Sequence, residues 1–571
     1  MSRRPLSAPA VFAPAAFGPA ALAPAATFAL AAALLLAGCG GGMGGPAPSP
    51  APVADAGPTP SVVPDPARLT GRDAIEALTF PPLVFTPPEA DEHQILGVTV
   101  FHLEDATFPL VDLYVQVRGG VSHGPRADAP AMTALSALLR TGGTLALEPD
   151  SVEVRLDLLA AQLGMGSGGG GSFASLNALT PTLDDAMDLL RQLLLEPRFD
   201  PEAVEVWMDQ ERERIRRREE DPGSLAFAEF NRLVFGDHPV GWVFTEDEIT
   251  SDALAPERLH RLHALTHCRE NLILGVSGDL SWSEAEPRLR AFLEAWPTCA
   301  TPLPATPIPD LRRGGGVWIL PRPVEQTTVV VAGPGGLRQE DTPAYFASRI
   351  ANTILGAGGF TSRLFQQVRT ERGLAYGASS VWTTPLRYEG IVGAVTGTRP
   401  ERTVEAVELL FEIFEDFRAE PPGAHEVQRA VEQAVNGYVF AFESAGQVVN
   451  RRMGDRAQEL PDRWLERYLE AIQEVTPEAV HDVVRRHLDP EAMVILLVGD
   501  ADRFGPGLER FGPIHRLSPD GRFELWTSPP WAENAGTGSS WGGAGSGGGE
   551  GGGEGEPGLS ASRRGAPQSP R

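Results

Sequence analysis

The sequence predicts an α+β protein made of two homologous lobes, each a mostly antiparallel β-sheet with helices packed on it. The main observation is a repeat at constant spacing, because Pro256 and Gly278 recur as Pro477 and Gly499, both 221 positions later. In each copy the proline stands where a helix starts, and the glycine closes an apolar run typical of a buried strand. A single offset across a helix start and the following strand indicates a duplicated structural unit.

The earlier part of each copy also contains strands that lead into helices. Apolar runs predict strands at 110–118 and 327–332, and 98–103 predicts a strand that neighbours 110–118. Helical periodicity or a run of small residues predicts helices at 129–140, 183–195, 201–220, 343–355, 402–418 and 423–442. The predicted first lobe spans 95–300 and the predicted second lobe spans 317–513. A proline- and glycine-rich linker, 301–316, is expected to join them.

The two ends of the chain have the composition of export and tether segments. Residues 1–38 begin with arginines and continue into an apolar run, which is the order found in a secretory signal peptide. The run ends in LAGC, which resembles the lipobox of bacterial lipoproteins, and that resemblance implies acylation of Cys39 as the new N-terminus. Residues 39–70 predict a semi-extended spacer, and 528–571 predict a disordered glycine-rich tail.

These ends predict a lipid-anchored protein of the bacterial cell envelope. Gly40 follows Cys39 where a retention signal would have aspartate, so we expect the outer membrane, with the folded part facing the periplasm. The alternatives are a plain signal peptide, a membrane anchor with an incidental cysteine, and a twin-arginine signal at Arg3 and Arg4.

Charge excludes one class of partner. The chain has 75 acidic and 48 basic side chains, with no lysine, and its formal net charge is -27. An acidic surface repels nucleic acid phosphates, so we expect no DNA or RNA partner.

The most specific motif lies at residues 355–376, which read LGAGGFTSRLFQQVRTERGLAY. This string resembles the glycine-rich, SRLF and RGLAY stretches of the insulinase-like (pitrilysin-type, M16) zinc peptidases, and the resemblance covers roughly 95–513. It implies the two-lobed fold of that family. It also implies a zinc site in the first lobe, where an H-x-x-E-H helix supplies two zinc ligands and a glutamate that activates water.

That zinc motif is missing from this chain. In the family a Gly-Thr pair follows the second histidine, and here the pair is 143–144, which places Ala134, Ala137 and Leu138 at the His, Glu and His positions. None of these three side chains ligates zinc or accepts a proton. We therefore expect no metal or other cofactor in this chain, and zinc in a partner.

Three histidines on one predicted helix face could offer another metal site. His260, His263 and His267 are spaced i, i+3 and i+7, but the repeat places the apolar Val484 and Leu488 at the equivalents of the last two. That comparison favours a face that packs inward. Export permits a disulfide between Cys268 and Cys299, although we expect two free or buried thiols.

Arg369 and Tyr376 are the candidate substrate-binding residues. Their R-x6-Y spacing resembles the pair that the second lobe of this family uses to bind substrate. In two-chain members one subunit carries the zinc motif and the other carries this pair, so the resemblance implies donors to a peptide carbonyl or its oxyanion. The structural alternative pairs Arg369 with Glu371 or with a helix end, and buries Tyr376 in the core.

Two glycine runs complete the motifs. The first, 164–171, stands where the family has a strand, and so many glycines are expected to weaken it. The second, 356–359, lacks the spacing and the lysine of a phosphate-binding loop, so we expect a flexible loop near the substrate.

The predicted function is that of a zinc-less subunit of a heteromeric M16-type metalloendopeptidase of the envelope. Its expected partners are a subunit bearing H-x-x-E-H, a peptide or unfolded protein substrate, and the membrane. The alternative is a non-enzymatic peptide-binding or scaffold lipoprotein with the same fold. An autonomous zinc peptidase would need ligands that the motif lacks.

Overall fold

Two β-sheets, one in each half of the chain, organise the structure. The computed structural model describes residue 86 and residues 88–518 and 522–531. The predicted signal segment and tether, with Cys39, and all but the first residues of the predicted tail lie outside the described residues.

The first sheet has six strands in the spatial order β1-β2-β6-β3-β5-β4. The strands are β1 Asp91–Ile95, β2 Val98–Glu104, β3 Leu110–Arg118, β4 Gln162–Gly168, β5 Gly171–Leu179 and β6 Leu272–Gly278. Only β2 and β6 run parallel, and the other pairs are antiparallel.

The prediction that the strands at 98–103 and 110–118 are neighbours is wrong. Strand β6 lies between them and hydrogen bonds to both, parallel to β2 and antiparallel to β3. Strand β6 is apolar and buried along its length, which suits the centre of the sheet. There both of its backbone edges are hydrogen bonded and both of its faces are covered.

The second sheet repeats this order. Its seven strands follow the sequence β13-β12-β7-β11-β8-β10-β9. They are β7 Val317–Pro321, β8 Thr327–Pro334, β9 Ala378–Trp382, β10 Ile391–Thr398, β11 Val494–Gly499, β12 Ile514–Leu517 and β13 Phe523–Leu525. The run β7-β11-β8-β10-β9 has the order and directions of β2-β6-β3-β5-β4, which confirms the predicted fold of two homologous, mostly antiparallel lobes.

Thirteen α-helices within the described residues cover these sheets. The helices of the first half are α1 Ala129–Thr141, α2 Pro149–Leu159, α3 Leu183–Leu195, α4 Pro201–Glu220, α5 Pro222–Phe235, α6 Pro256–Thr266 and α7 Trp282–Glu294. Those of the second half are α8 Pro343–Asn352, α9 Thr403–Ala419, α10 Ala424–Val439, α11 Ala445–Ala457, α12 Trp464–Gln473 and α13 Pro477–His487. Local signals set several starts: Asp200 caps α4 and Thr476 caps α13, each before a proline.

The halves exchange one helix each. Helix α5 of the first half packs on β8 and β11 of the second sheet, and α11 of the second half packs on β2, β3 and β6 of the first. Gly275 on β6 permits this contact, because a β-carbon there would overlap Val449 and Met453 of α11. Each sheet therefore needs the other half of the chain to cover one of its faces.

Cys268 and Cys299 are joined by a disulfide, so the expectation of free thiols is wrong. Cys268 follows α6 and Cys299 follows α7, and 31 residues separate them in sequence, but their Cα atoms lie 4.9 Å apart. The backbone N–H of Arg269 donates to the carbonyl of Pro297 at 2.9 Å beside the bond. This non-local approach depends on the path of β6 and α7, which residue spacing does not reveal.

Among the helices in the described part of the chain, none has the length and apolar character that a bilayer crossing needs.

Candidate functional site

The predicted substrate-binding motif occupies an irregular connection between α8 and β9. The helix predicted at 343–355 ends as an α-helix at Asn352 and continues as a π-helical turn over Thr353–Ala357. A second π-helical segment, Phe365–Glu371, follows. Wide turns of this kind occur often at functional sites, because they displace side chains from the regular helical faces.

Gly356 explains the first irregular turn. A β-carbon at this residue would overlap the backbone nitrogen of Ser380 on β9. The close approach brings the turn onto the edge of the second sheet, and the Ser380 hydroxyl donates to the side-chain oxygen of Asn352 at 2.6 Å. The glycine run at 356–359 thus includes a residue needed for packing.

Buried anchors hold the second irregular segment in place. Leu364, Val368 and Leu374 are buried in the core of the second lobe. Arg363 donates to both carboxylate oxygens of Glu426, at 2.9 and 2.7 Å, and its guanidinium lies 4.4 Å from the ring centroid of Phe417. The segment is therefore attached to the helices below it by apolar contacts and by one two-pronged ion pair.

Arg369 and Tyr376 are in contact on this support. The guanidinium carbon of Arg369 lies 4.4 Å from the ring centroid of Tyr376 and 4.8 Å from that of Phe365. Tyr376 is 78% exposed, so it is not a core residue. Within the described residues Arg369 makes no ion pair, with Glu371 or with any other carboxylate, which differs from the structural alternative.

Strand β10 fixes the backbone on both sides of Tyr376. The hydroxyl of Thr396 donates to the carbonyl of Gly377 at 2.8 Å, and the hydroxyl of Thr398 donates to that of Leu374 at 3.0 Å. The exposed ring thus stands on a backbone tied to a central strand. Such support lowers the conformational entropy lost when a ligand binds.

Two phenylalanines extend the contact into a surface that sequence reasoning missed. Phe360 is 71% exposed and meets the ring of Phe365 edge-on at 4.8 Å. We call Phe360, Phe365, Arg369 and Tyr376 the Arg/aromatic surface. The sequence signal that could have revealed this surface is the presence of aromatic residues in and just after a glycine-rich loop. A guanidinium beside exposed rings provides planar N–H donors and apolar faces, the combination that binds carbonyl or carboxylate groups on an apolar chain.

The degenerate zinc helix does not fit a metal. Ala134 and Leu138 on α1 are fully buried, and Ala137 is half-buried. Their apolar side chains contribute no oxygen, nitrogen or sulfur ligand. The residues present at these positions therefore hold no zinc, and no step of peptide hydrolysis follows from them.

The histidine face of α6 packs inward at two of its three residues. His263 Nε2 lies 2.8 Å from the carbonyl of Leu194, and the ring of His267 stacks on His263 and on Trp296. Burial lowers the pKa of His263 and holds the pKa of His267 well below its usual value. Both rings are therefore neutral structural residues, while His260 is exposed.

The glycine-rich segment forms strand β4, at the place where the family has a strand. It pairs with β5 from Gln162 to Gly168 without interruption. The half-exposed ring of Phe173 lies over Gly166, and such a cross-strand aromatic protects a glycine in an edge strand. Among the described strands none pairs with the outer edge of β4.

Comparison with known proteins relates this architecture to a family. Residues 254–434 match a family model described as Peptidase M16 inactive domain. An uncharacterized zinc protease of Streptomyces coelicolor is 27% identical over 305 residues, which are 52% of this chain and 66% of that protein. A protein of Helicobacter pylori named non-peptidase homolog YmxG is 21% identical over 405 residues, 71% of this chain and 92% of that protein.

Solved structures share the fold. The peptidase M16 inactive domain from Pseudomonas fluorescens superposes with a TM-score of 0.64 at 25% identity, covering 72% of this chain and 98% of that chain. The periplasmic protease PqqL from Escherichia coli superposes with a TM-score of 0.62 at 15% identity, covering 74% of this chain and 48% of that chain. At the latter identity the likeness concerns the fold alone.

Proposed function

We propose, from the premise that this chain is an M16-like protein of the inactive type, that it is the zinc-less subunit of a two-chain metalloendopeptidase. A second M16-type chain would supply two histidines, a glutamate and the zinc ion. One observation carries the proposal: the ligand positions on α1 hold only alanine and leucine, whereas Arg369 and Tyr376 meet on the exposed Arg/aromatic surface.

The chemistry of this surface suits the task. Arg369 contributes a charged planar fork and Tyr376 a hydroxyl, and both groups donate hydrogen bonds to a peptide carbonyl. Donors aimed at the oxyanion that forms during hydrolysis lower the barrier, and loss of one such donor typically costs about 100- to 1000-fold in kcat. Both side chains serve this role from a neighbouring subunit if the two chains close around the substrate.

We also propose that the subunit is lipid-anchored in the outer membrane of the bacterial envelope and faces the periplasm, because Gly40 stands where a retention signal would have aspartate. Cys39 would carry the lipid, and residues 39–70 would hold the folded lobes away from the membrane. Metabolic labelling with a radioactive fatty acid tests this, since Cys39→Ala is expected to abolish the label and release the chain from membranes. Unchanged labelling in that variant would contradict the anchor.

The enzymatic role is tested by co-expression with a second M16-type chain. That chain has an intact H-x-x-E-H motif and is encoded by a neighbouring gene. The pair is expected to hydrolyse an unfolded casein substrate that neither chain cuts alone. Arg369→Ala and Tyr376→Phe are expected to reduce kcat strongly without separating the subunits. Arg372→Ala is the matched control. Arg372 is an exposed arginine at the end of the same segment, and its guanidinium lies 3.6 Å from the carboxylate of Glu412.

Two results would contradict this proposal. Equal rates for Arg369→Ala and Arg372→Ala would show that the Arg369 and Tyr376 pair does not act in the active site. Hydrolysis by this chain alone, retained after purification from any partner, would show that it does not depend on a second subunit.

The second candidate function is non-enzymatic binding of peptides. The exposure of Phe360 and Tyr376 favours it, because apolar rings at an open surface bind extended chains without a catalytic group nearby. In this case the purified chain binds an unfolded peptide, Arg369→Ala weakens that binding, and no partner produces hydrolysis.

A further inference from the structure

Three side chains with metal-ligating atoms converge at the β1 edge of the first sheet. Asp91 and His93 lie on β1, and His102 lies on β2. One ligand atom from each residue lies within 4.8 Å of the other two. This group stands at the opposite end of the sheet from β4, the strand against which α1 packs, so it is separate from the degenerate zinc motif.

Strand register places the three side chains on one face. Asp91 is directly opposite His102 in the antiparallel pair, and His93 is two residues further along β1, opposite Val100. Residues opposite each other in such a pair project to the same side, and so do residues two apart on one strand. The convergence therefore follows from backbone pairing and needs no rearrangement of the sheet.

The protein also orients the ring of His102. Its Nε2 lies 2.8 Å from the backbone carbonyl of Leu280, and His102 is buried. A carbonyl only accepts, so Nε2 carries the proton and the lone pair is on Nδ1. Metal-binding histidines commonly donate their other ring N–H to a backbone carbonyl in this way, which fixes the tautomer and the ring direction.

Trp282 at the start of α7 holds the second imidazole. The His93 ring stacks on the indole of Trp282 with a centroid distance of 3.5 Å and an interplanar angle of 8°. The same indole meets the His102 ring edge-on at 5.5 Å. His93 Nε2 is shielded from solvent and has no hydrogen-bond partner among the described residues. One imidazole nitrogen of the cluster is thus left without the partner that a buried polar atom normally has.

We propose that Asp91, His93 and His102 bind one structural divalent transition-metal ion of the zinc type, with water completing the coordination; the chain would thus lack only the catalytic zinc, contrary to the expectation of no metal at all. Two imidazoles and one carboxylate favour Zn²⁺, Ni²⁺ or Cu²⁺ over Ca²⁺ and Mg²⁺, which prefer oxygen ligands. The ion joins the edge strand β1 to β2 beneath the Trp282 cap of α7. It would cross-link the first two strands of the first lobe and so stabilise the edge of the sheet.

Zinc titration of the full chain, purified with a tag that contains no histidine, tests the site. Competition against a chromogenic chelator is expected to show one tight Zn²⁺ per chain. Asp91→Asn and His93→Gln are expected to weaken its affinity by about tenfold or more, because even loss of an outer-shell partner typically costs about 10- to 100-fold and these residues are direct ligands. Glu92→Gln is the matched control, because Glu92 is exposed on the same strand and points to the opposite face.

Thermal unfolding separates a lost ligand from a damaged fold. A ligand that binds only the native state raises Tm with its concentration. Zinc is therefore expected to raise Tm in the wild type and in Glu92→Gln, and to leave His93→Gln unchanged, while all three share one Tm in chelator. Absence of stoichiometric zinc binding, or equal affinities for Asp91→Asn and Glu92→Gln, would overturn the proposal.

Discussion

The Arg369 guanidinium lies over the face of the exposed Tyr376 ring, 4.4 Å from its centroid, while Phe365 contacts the same cation at 4.8 Å. The arginine is thus oriented by rings rather than by a carboxylate. Among the residues that the structure describes, no carboxylate pairs with Arg369, so its charge is not cancelled there and its N–H donors stay available to a ligand. This relationship leads to the first prediction.

Arg369→Lys tests whether the planar fork matters beyond its charge. Lysine keeps the cation near the rings but loses the paired N–H donors, so it does not replace arginine where a two-pronged contact is made. We expect the kcat of the two-chain complex to fall nearly as far as in Arg369→Ala. Full activity in Arg369→Lys, measured at saturating substrate, would mean that charge alone is needed.

Gly356→Ala is expected to destabilise the second lobe. The new β-carbon would overlap the Ser380 backbone, and forced overpacking of this kind typically costs about 1–3 kcal/mol. Gly437→Ala is the control, since Gly437 lies in α10 with open space around it. That change is expected to raise the free energy of unfolding by up to about 1 kcal/mol, because alanine is the better helix former. Urea unfolding measures both, and equal effects would contradict the close approach.

The Cys268–Cys299 bond is expected to stabilise the first lobe. It closes a loop with a sequence separation of 31 residues, and bonds across loops of this order contribute about 3–4 kcal/mol. The double substitution Cys268→Ser with Cys299→Ser is therefore expected to lower Tm, and reductant is expected to lower the wild-type Tm towards the same value. A Tm insensitive to reductant, with thiols confirmed free by labelling, would exclude this contribution.

Asp455 on α11 is expected to make stability depend on pH. Burial raises the pKa of Asp455 to about 6, although Arg451 and Arg452 pull it down. The folded state thus holds the proton more tightly than the unfolded state, so this contribution is full below about pH 4 and lost as pH rises through about 6.

Asp455→Asn tests the sign of this effect. From pH 4 to pH 7 the wild type is expected to lose more unfolding free energy than the variant, by up to about 3 kcal/mol at 1.36 kcal/mol per pKa unit. Asp462→Asn, at an exposed position on the loop before α12, is expected to keep the wild-type pH slope. Identical slopes in all three proteins would contradict a raised pKa.

The sequence by itself determined the two homologous sheets, the apolar character of α1 and the RGLAY motif. These follow from periodicity, from a repeat at constant spacing and from side chains that either carry a ligand atom or do not, all of which are local properties. The absence of metal ligands at Ala134, Ala137 and Leu138 needs no tertiary information.

Only the tertiary structure decided which distant residues meet. The insertion of β6 between β2 and β3, the bond between Cys268 and Cys299, and the convergence of Asp91 and His93 on His102 all depend on strand order and register. Exposure of Tyr376 depends on how the π-helical segment and β10 hold its backbone. Such contacts arise because the chain buries its apolar strands and pairs their backbone groups at the same time. The sequence of one segment does not reveal which distant segments will pair with it.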